Sequence, residues 1–539
     1  MGLKLYNTMG HKMEDFKPLV EGHVGFYGCG PTVYNYAHIG NLRAYVFLDI
    51  LDKTLTLLGY DIKHVMNITD VGHLTDDGDN GEDKMKKSAA ERHQSVLEVA
   101  NFYTDAFMKD MDAMNIRHPD VICRATEHID DMIELIKKIE ANGHTYMAGG
   151  NLYYDISTYP DYGKLANLNL DELKAGAGKR KVVVIDENKR NPGDFVLWFT
   201  KSKFEDQAMT WDSPWGRGYP GWHIECSAMS MKYLGKHFDI HTGGIDHIPV
   251  HHTNEIAQSE GSFDEAERAK GPWVNYWMHN EFLILEGGKM SKSSGNFITL
   301  QTELPPEKGF SLKSKGFEPL DYRFFLLGGH YRKQLVFNMD ALESAKNGRA
   351  ALYQKVAKLI SKANEENQWA RADGFTDGEI LTSKNYKEFL EKAIKIAKME
   401  NLSKHEYVSQ AMDVFVSSLE NDLGTPKALA TMQVEINGTY GEPEASRITT
   451  VAKMDEVLSL DIIKNAIALL DKSEQGFQGT AQDLHAGDPE AAEIDALIAE
   501  RSQAKKDKNF ARADEIRDIL TKKGIVVTDT PNGPVWSRG

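Results

Sequence analysis

Cysteine is scarce in this chain: Cys29, Cys123 and Cys226 are the only three in 539 residues. Three thiols spread so widely cannot staple a disulfide framework, so a reducing cytoplasm is the expected compartment. Long hydrophobic runs are also missing. No apolar stretch approaches the ~20 residues a membrane helix needs, and no membrane association is expected. The opening residues, Met-Gly-Leu-Lys-Leu-Tyr, contain no secretory apolar segment. Tyr6 stands where a myristoylation signal requires Ser or Thr. Positive charge is in deficit, with 63 Lys and Arg against 80 Asp and Glu, a net −17. Such a balance argues against loose nucleic-acid binding, because phosphate contacts need cations. It does not forbid a local basic face. Residues 501–539 carry nine Lys or Arg and five Asp or Glu, a local +4, which composition alone reads as a solvated helical face. There is no P-loop pattern and no internal repeat.

What is present is the composition of a soluble multidomain protein, 41% hydrophobic and 27% charged. The segment 23–29 (His-Val-Gly-Phe-Tyr-Gly-Cys) reads as a buried strand, and Gly30-Pro31 turns the chain. Leu42, Val46, Ile50, Leu55 and Leu58 then recur at helical spacing up to Gly59. Residues 62–68 form a second strand. Strand, helix and strand with short links predict a right-handed βαβ unit, whose ligands sit outside the carboxyl ends of the strands. A helix is expected over 89–114. Residues 119–201 read as an insertion, with a helix at 127–141 and strands at 153–156 and 181–185. The stretch 211–252 is dense in aromatic, Gly and His residues, as sites are. Residues 283–285 form a short strand. Long amphipathic helices are expected from 340 to 473, a Gln/Gly/Ala-rich linker after 474, a helical pair at 491–506 and 509–523, and a terminal hairpin around Pro531-Asn532-Gly533.

Two short motifs stand out. His38-Ile39-Gly40-Asn41 follows the first strand, and Lys289-Met290-Ser291-Lys292-Ser293 follows the strand at 283–285. Alone, the first is an ordinary helix start and the second an ordinary solvated loop. Together, in this order and context, they suggest an ATP site that activates a carboxylate. Attack of a carboxylate on the α-phosphate gathers negative charge on phosphate oxygens, so the chemistry needs fixed donors and cations. His38 at a helix start can donate to phosphate, and Gly40 lets a nucleotide lie close to the backbone. Lys289 and Lys292, flanked by Gly287-Gly288 and Gly295, can close over the leaving phosphates. Gly216-Arg217-Gly218-Tyr219-Pro220-Gly221 satisfies G-x-G-x-x-G, but it follows no strand and contains proline, so it is set aside as a dinucleotide fingerprint.

A second constellation involves Cys29, Cys226, His251 and Glu255. His251 and Glu255 are four apart and would share a helix face, as metal ligands must. The cysteines lie too far apart for spacing to pair them, and buried, inert thiols are the ordinary reading. His252 is an alternative to His251 that would point elsewhere on the helix.

The two signatures resemble those of class I aminoacyl-tRNA synthetases. Cys29-Gly-Pro-Thr-Val-Tyr34, Gly221-Trp-His-Ile-Glu-Cys-Ser-Ala-Met229 and His251-His-Thr-Asn-Glu-Ile-Ala-Gln258 resemble the cysteinyl-tRNA synthetase family in particular. So do Asn67-Ile-Thr-Asp70, Lys189-Arg-Asn-Pro-Gly-Asp-Phe195, Gly329-His-Tyr-Arg332 and Asn509-Phe-Ala-Arg-Ala-Asp-Glu-Ile-Arg517, so the match runs essentially end to end. The resemblance implies an α/β fold: a Rossmann-like class I catalytic domain with an insertion, then a helical bundle and a small anticodon-binding domain. The expected boundaries are 1–118 and 202–286 for the catalytic halves, 119–201 for the insertion and 287–339 for the Lys-Met-Ser-Lys-Ser loop with its stem-contact region. The bundle takes 340–473, a linker 474–489 and the anticodon-binding domain 490–539.

The same resemblance implies one zinc ion held by Cys29, Cys226, His251 and Glu255, which binds the substrate thiolate. It implies ATP, accompanied by Mg2+, at His38, Gly40, Asn41, Lys289, Ser291, Lys292 and Ser293. Of these, His38, Lys289 and Lys292 are the catalytic residues. It further implies a cysteine pocket lined by Thr69, Trp222 and His223, tRNA(Cys) as partner, and a monomer. Trp536 is a candidate for stacking on an anticodon base, or else a plug for the small domain's core.

Departures from the family pattern are Thr253 for the commoner Glu, Val250 for Pro, Tyr219 for Arg or Phe, Phe199 for Lys, and the form of the segment 420–426. None touches the four ligands, His38 or the lysines. A paralogue that passes cysteine to an amino sugar would lack residues 490–539. A non-catalytic RNA-binding relative would not need His38, Lys289 and Lys292.

Overall fold

The computed structural model describes residues 2–71, 88, 95–168, 186–201, 209–286, 297–371, 375–399, 406–438, 442–475, 491–506, 509–530 and 533–538. The strand expected at 181–185, the motif 289–293 and most of the linker lie outside these residues. The chain divides into two compact units, 1–463 and 464–539.

The first unit is built on a five-stranded sheet: β1 (His23–Gly28), β2 (Asp61–Ile68), β3 (Val121–Arg124), β4 (Phe238–Gly244) and β5 (Val274–Asn280). Every neighbouring pair is parallel, in the order β5-β4-β1-β2-β3. Strand order reverses between β1 and β4, so their carboxyl ends open a crevice there, where doubly wound folds take their ligands. Both faces of the sheet are covered, which is why Phe26 and Tyr27, consecutive on β1, are both fully buried.

Helix α1 (Ile39–Leu57) crosses from β1 to β2, and Leu42, Val46, Ile50 and Leu55 all pack inward as their spacing predicts. Helix α2 spans Val96–Ala113 and α3 spans Ile129–Ala141. Residues 121–124, assigned to the insertion by sequence, instead form the sheet's edge strand β3 against β2. Helix α3 packs with the sheet: Ile129, Met132, Ile136 and Ile139 share one cluster with Tyr27 and Trp277. A four-residue strand is too short for its alternation to register in sequence. The insertion proper is an antiparallel sheet of Thr145–Ala148, Asn151–Tyr154, Phe195–Phe199 and Tyr219–Pro220. It leads into α4 (Trp222–Leu234), and α5 (Thr253–Gly261) follows β4 after one π-helical turn, Ile248–His252. After α6 (Pro319–Leu327) come the long helices of the bundle, beginning with α7 (Met339–Glu365).

The second unit contains helices Ala491–Lys506 and Phe510–Lys522 and the antiparallel hairpin Ile525–Thr530 with Gly533–Arg538. Its core is Ile494, Ile498, Ile516, Leu520 and Ile525. Trp536 pairs with Val527 along the hairpin backbone; its side chain lies outside the described residues.

Candidate active site and metal centre

A cavity of about 890 Å3 opens at the carboxyl ends of β1 and β4. One wall is the turn from Cys29 through His38 to Asn41, and another is Phe282–Ile284 with Phe297. Thr69, Trp222, Cys226, Gly243 and His251 complete its deep end. Two glycines make this end buildable. A Cβ on Gly30 would fall 1.6 Å from the Asn67 carbonyl oxygen, so the turn after β1 can lie flat on β2 only as glycine. A Cβ on Gly243 would meet the rings of His247 and His252 at under 3 Å.

His38 is the N-cap of α1. Its Nδ1 accepts from the Asn41 N–H at 3.1 Å, and the Asn41 side-chain oxygen accepts from the His38 N–H at 3.1 Å, a reciprocal capping box. Because Nδ1 accepts, the neutral ring carries its proton on Nε2, which makes it a donor. The amide oxygen of Asn41 is committed to the cap, so its part at this end is to orient His38. Lys289, Ser291, Lys292 and Ser293 lie outside the described residues.

Four potential ligand atoms, from Cys29, Cys226, His251 and Glu255, lie within 4.8 Å of one another. That spread accommodates a single ion at the ~2.0–2.3 Å bond lengths of zinc. Cys226, His251 and Glu255 are buried, and Cys29 is half-buried. Glu255 Oε1 is buried and lies 2.7 Å from His251 Nε2. Two of these residues, His251 and Glu255, also have an outer partner. His251 Nδ1 is 2.8 Å from His223 Nδ1, and Glu255 Oε2 is 2.7 Å from His241 Nε2. Burial opposes charge on both His251 and Glu255. Their mutual attraction prevails, raising the imidazole to about 10 and holding the carboxyl at about 2. A hydrogen bond from Cys29 lowers Cys226, against the effect of burial.

His252 does not point away as the helix pattern predicts. The π-helical turn packs more residues per turn than an α-helix, so successive side chains fan out less, and both His251 and His252 are buried toward the site. His252 Nε2 lies 3.4 Å from Cys29 Sγ. With Cys29, His241 and Glu255 it forms a second compact donor set. That set has one sulfur where the first has two, and two thiolates favour a soft or borderline ion.

Trp222 and Thr69 line the cavity; His223 is not among its lining residues and stands behind His251. Sequence reasoning missed Glu225, fully buried, whose Oε2 accepts from the Thr69 hydroxyl at 2.9 Å. It also missed His241, His247 and His279. Their only sequence signal was the histidine density of 211–252, which covers the first two.

The doubly wound parallel sheet carries the His38 turn at its switch point. Residues 15–347 match the family model described as the tRNA synthetases class I (C) catalytic domain, and residues 489–536 match the cysteinyl-tRNA ligase anticodon binding domain. The chain is similar to the cysteine–tRNA ligase of Treponema denticola, 56% identical with both chains fully covered. It is 42% identical to that of Treponema pallidum and 40% to that of Borrelia turicatae, again over the full length of each chain. The chain belongs to the cysteine–tRNA ligase family.

Proposed function

We infer that this protein activates cysteine with ATP and transfers it to the 3′-terminal adenosine of tRNA(Cys). The observation that carries this reading is the meeting of Cys29, Cys226, His251 and Glu255 at the deep end of the cavity whose rim holds His38. We propose that this cluster holds one zinc ion. Zinc, when bound, supplies a soft Lewis acid for the substrate thiolate, which separates cysteine from serine where an apolar or hydrogen-bonding pocket would not. Trp222 and Thr69 bound the space beside it. Glu225 fixes the Thr69 hydroxyl, and Asn67 Nδ2 donates to that same hydroxyl at 3.0 Å.

In the first step the cysteine carboxylate attacks the α-phosphorus of ATP, and the bond to the leaving pyrophosphate breaks. In this reading His38 Nε2–H donates to phosphate oxygen. Lys289 and Lys292, with Ser291 and Ser293, are assigned to the β- and γ-phosphates, with Mg2+ accompanying ATP. In the second step a hydroxyl of the terminal ribose attacks the adenylate carbonyl and AMP leaves. Residues 490–539 are assigned to the anticodon, with Trp536 as the stacking candidate. A cytoplasmic monomer is the form proposed. Among the described residues no helix is long and apolar enough to cross a membrane.

Cysteine-dependent ATP–pyrophosphate exchange, followed by charging of purified tRNA(Cys), tests this reading. Exchange and charging are both expected. Exchange without charging would point to a different acceptor, and no exchange would remove the reading.

A further inference from the structure

We propose that Arg43 and Tyr322 are positioning residues for adenylate formation, which set the spacing between the two walls of the nucleotide cavity. The proposal rests on the function inferred above. Arg43 lies on α1, five residues after His38, and is 5% exposed. Its guanidinium donates to four backbone carbonyls and, among the described contacts, to no carboxylate. Nη1 donates to Phe282 O at 2.5 Å. Nη2 donates to His330 O at 3.2 Å, to Tyr331 O at 3.4 Å and to Lys333 O. Burying a guanidinium without a carboxylate in hydrogen-bond contact is costly, and burial lowers its affinity for the proton against the attraction of Tyr322 and Glu281. A fold needing only a packed helix would place an apolar residue there.

What the guanidinium holds explains its presence. Phe282, Leu283 and Ile284 form the cavity wall facing His38. Their strand, Leu283–Leu285, pairs in parallel with Leu335–Phe337, directly after the carbonyls of 330–333. One planar donor fork therefore ties the helix that presents His38 to Phe282 of the opposite wall and to the segment 330–333 that leads into the strand paired with it. Tyr322 makes the second tie. It is fully buried on α6, and its hydroxyl donates at 2.6 Å to the carbonyl of Ile39, inside the His-Ile-Gly-Asn motif itself. Between the two ties, the Phe297 ring meets the His38 ring edge-on at 5.5 Å. The start of the helix that presents His38 is thus tied to α6 through Tyr322, and its next turn to the facing wall through Arg43 and Phe282. Neither Arg43 nor Tyr322 reaches the cysteine end of the cavity.

The test uses the full-length protein carrying Arg43→Lys, Arg43→Gln or Tyr322→Phe, measured by pyrophosphate exchange. A misplacement of His38 acts on the transition state, so kcat is expected to fall by about 10- to 100-fold for the Arg43 variants and by a smaller factor for Tyr322→Phe. The KM for cysteine is expected to stay within about twofold. Lysine should not rescue, because one ammonium cannot serve four carbonyls in the plane of a guanidinium. Wild-type kcat in soluble Arg43→Lys and Tyr322→Phe would overturn the proposal. So would a rise in the KM for cysteine at constant kcat. If the Arg43 variants do not fold, Tyr322→Phe, which deletes one hydroxyl, decides alone. Failure of the wild-type protein to exchange would instead indict the function inferred above.

Discussion

His252 Nε2 lies 3.4 Å from Cys29 Sγ, while Nδ1 of the same ring lies 2.7 Å from Nε2 of His279. His279 Nδ1 is in turn 2.8 Å from the Thr8 hydroxyl. Cys29 is therefore held from behind by a buried chain of imidazoles that ends on a threonine.

This arrangement makes His252 a support for the ligand cluster. His252→Asn is expected to leave the zinc stoichiometry unchanged and to weaken zinc affinity by about 10- to 100-fold. His251→Asn should abolish stoichiometric binding. Competition with a chromogenic chelator measures both, and equal losses in the two variants would contradict the distinction.

Asp49 is a second point of leverage. It is buried on α1 between two cations, with Oδ2 2.5 Å from Arg323 Nη2 and Oδ1 2.7 Å from Lys53 Nζ. Arg323 also donates to Leu458 O at 2.6 Å and Met114 O at 3.0 Å, so one guanidinium joins α6, the end of α2 and the bundle. Asp49→Ala is expected to cost about 3–5 kcal/mol, because it leaves two buried cations without a counter-charge. Lys53→Met should cost much less, since Arg323 remains. Urea titrations compare the two, and a loss under about 1 kcal/mol for Asp49→Ala would contradict the assignment.

Glu435 and Glu442 form a buried carboxyl pair in the bundle, hydrogen-bonded to each other when Glu435 carries a proton. Burial, reinforced by Glu442, pushes Glu435 up to about 8 from an ordinary 4.5. The folded chain therefore keeps a proton that the unfolded chain gives up between those values. Stability from this group is fully present below pH 4.5 and is lost as pH rises through about 8. Glu435→Gln should stabilise the protein most above pH 8 and progressively less toward pH 4.5. Urea midpoints across that range provide the check; a difference independent of pH would contradict it.

Two of the departures from the family pattern prove to be one feature. Phe199 and Tyr219 face each other across adjacent antiparallel strands, with stacked rings 4.8 Å apart. A double-mutant cycle between Phe199→Leu and Tyr219→Leu should give a coupling of about 0.5–1.5 kcal/mol. Additive losses would mean that the two rings are independent.

The strand-helix-strand opening was legible because the apolar residues of α1 recur at helical spacing, although the helix is buried on every side, and β1 is a strand buried on both faces. The proposed ligand set came only through family likeness, since the end of β1, α4, the π-helical turn and α5 bring it together from positions 29, 226, 251 and 255. Three features were not legible. The edge strand Val121–Arg124 is too short to show a pattern. The π-helical turn that brings His252 inward has no composition of its own. Glu225 is a carboxylate buried against Thr69, 156 residues away, and no local spacing announces such a contact.

The most direct measurement is zinc content together with cysteine- and serine-dependent pyrophosphate exchange, in the wild-type protein and in Cys226→Ser. The wild-type protein should hold one zinc and prefer cysteine by a factor of about 10⁴ or more. Cys226→Ser should lose both the metal and the preference. A folded Cys226→Ser that keeps its zinc and still rejects serine would contradict a site that selects its substrate by metal–thiolate coordination.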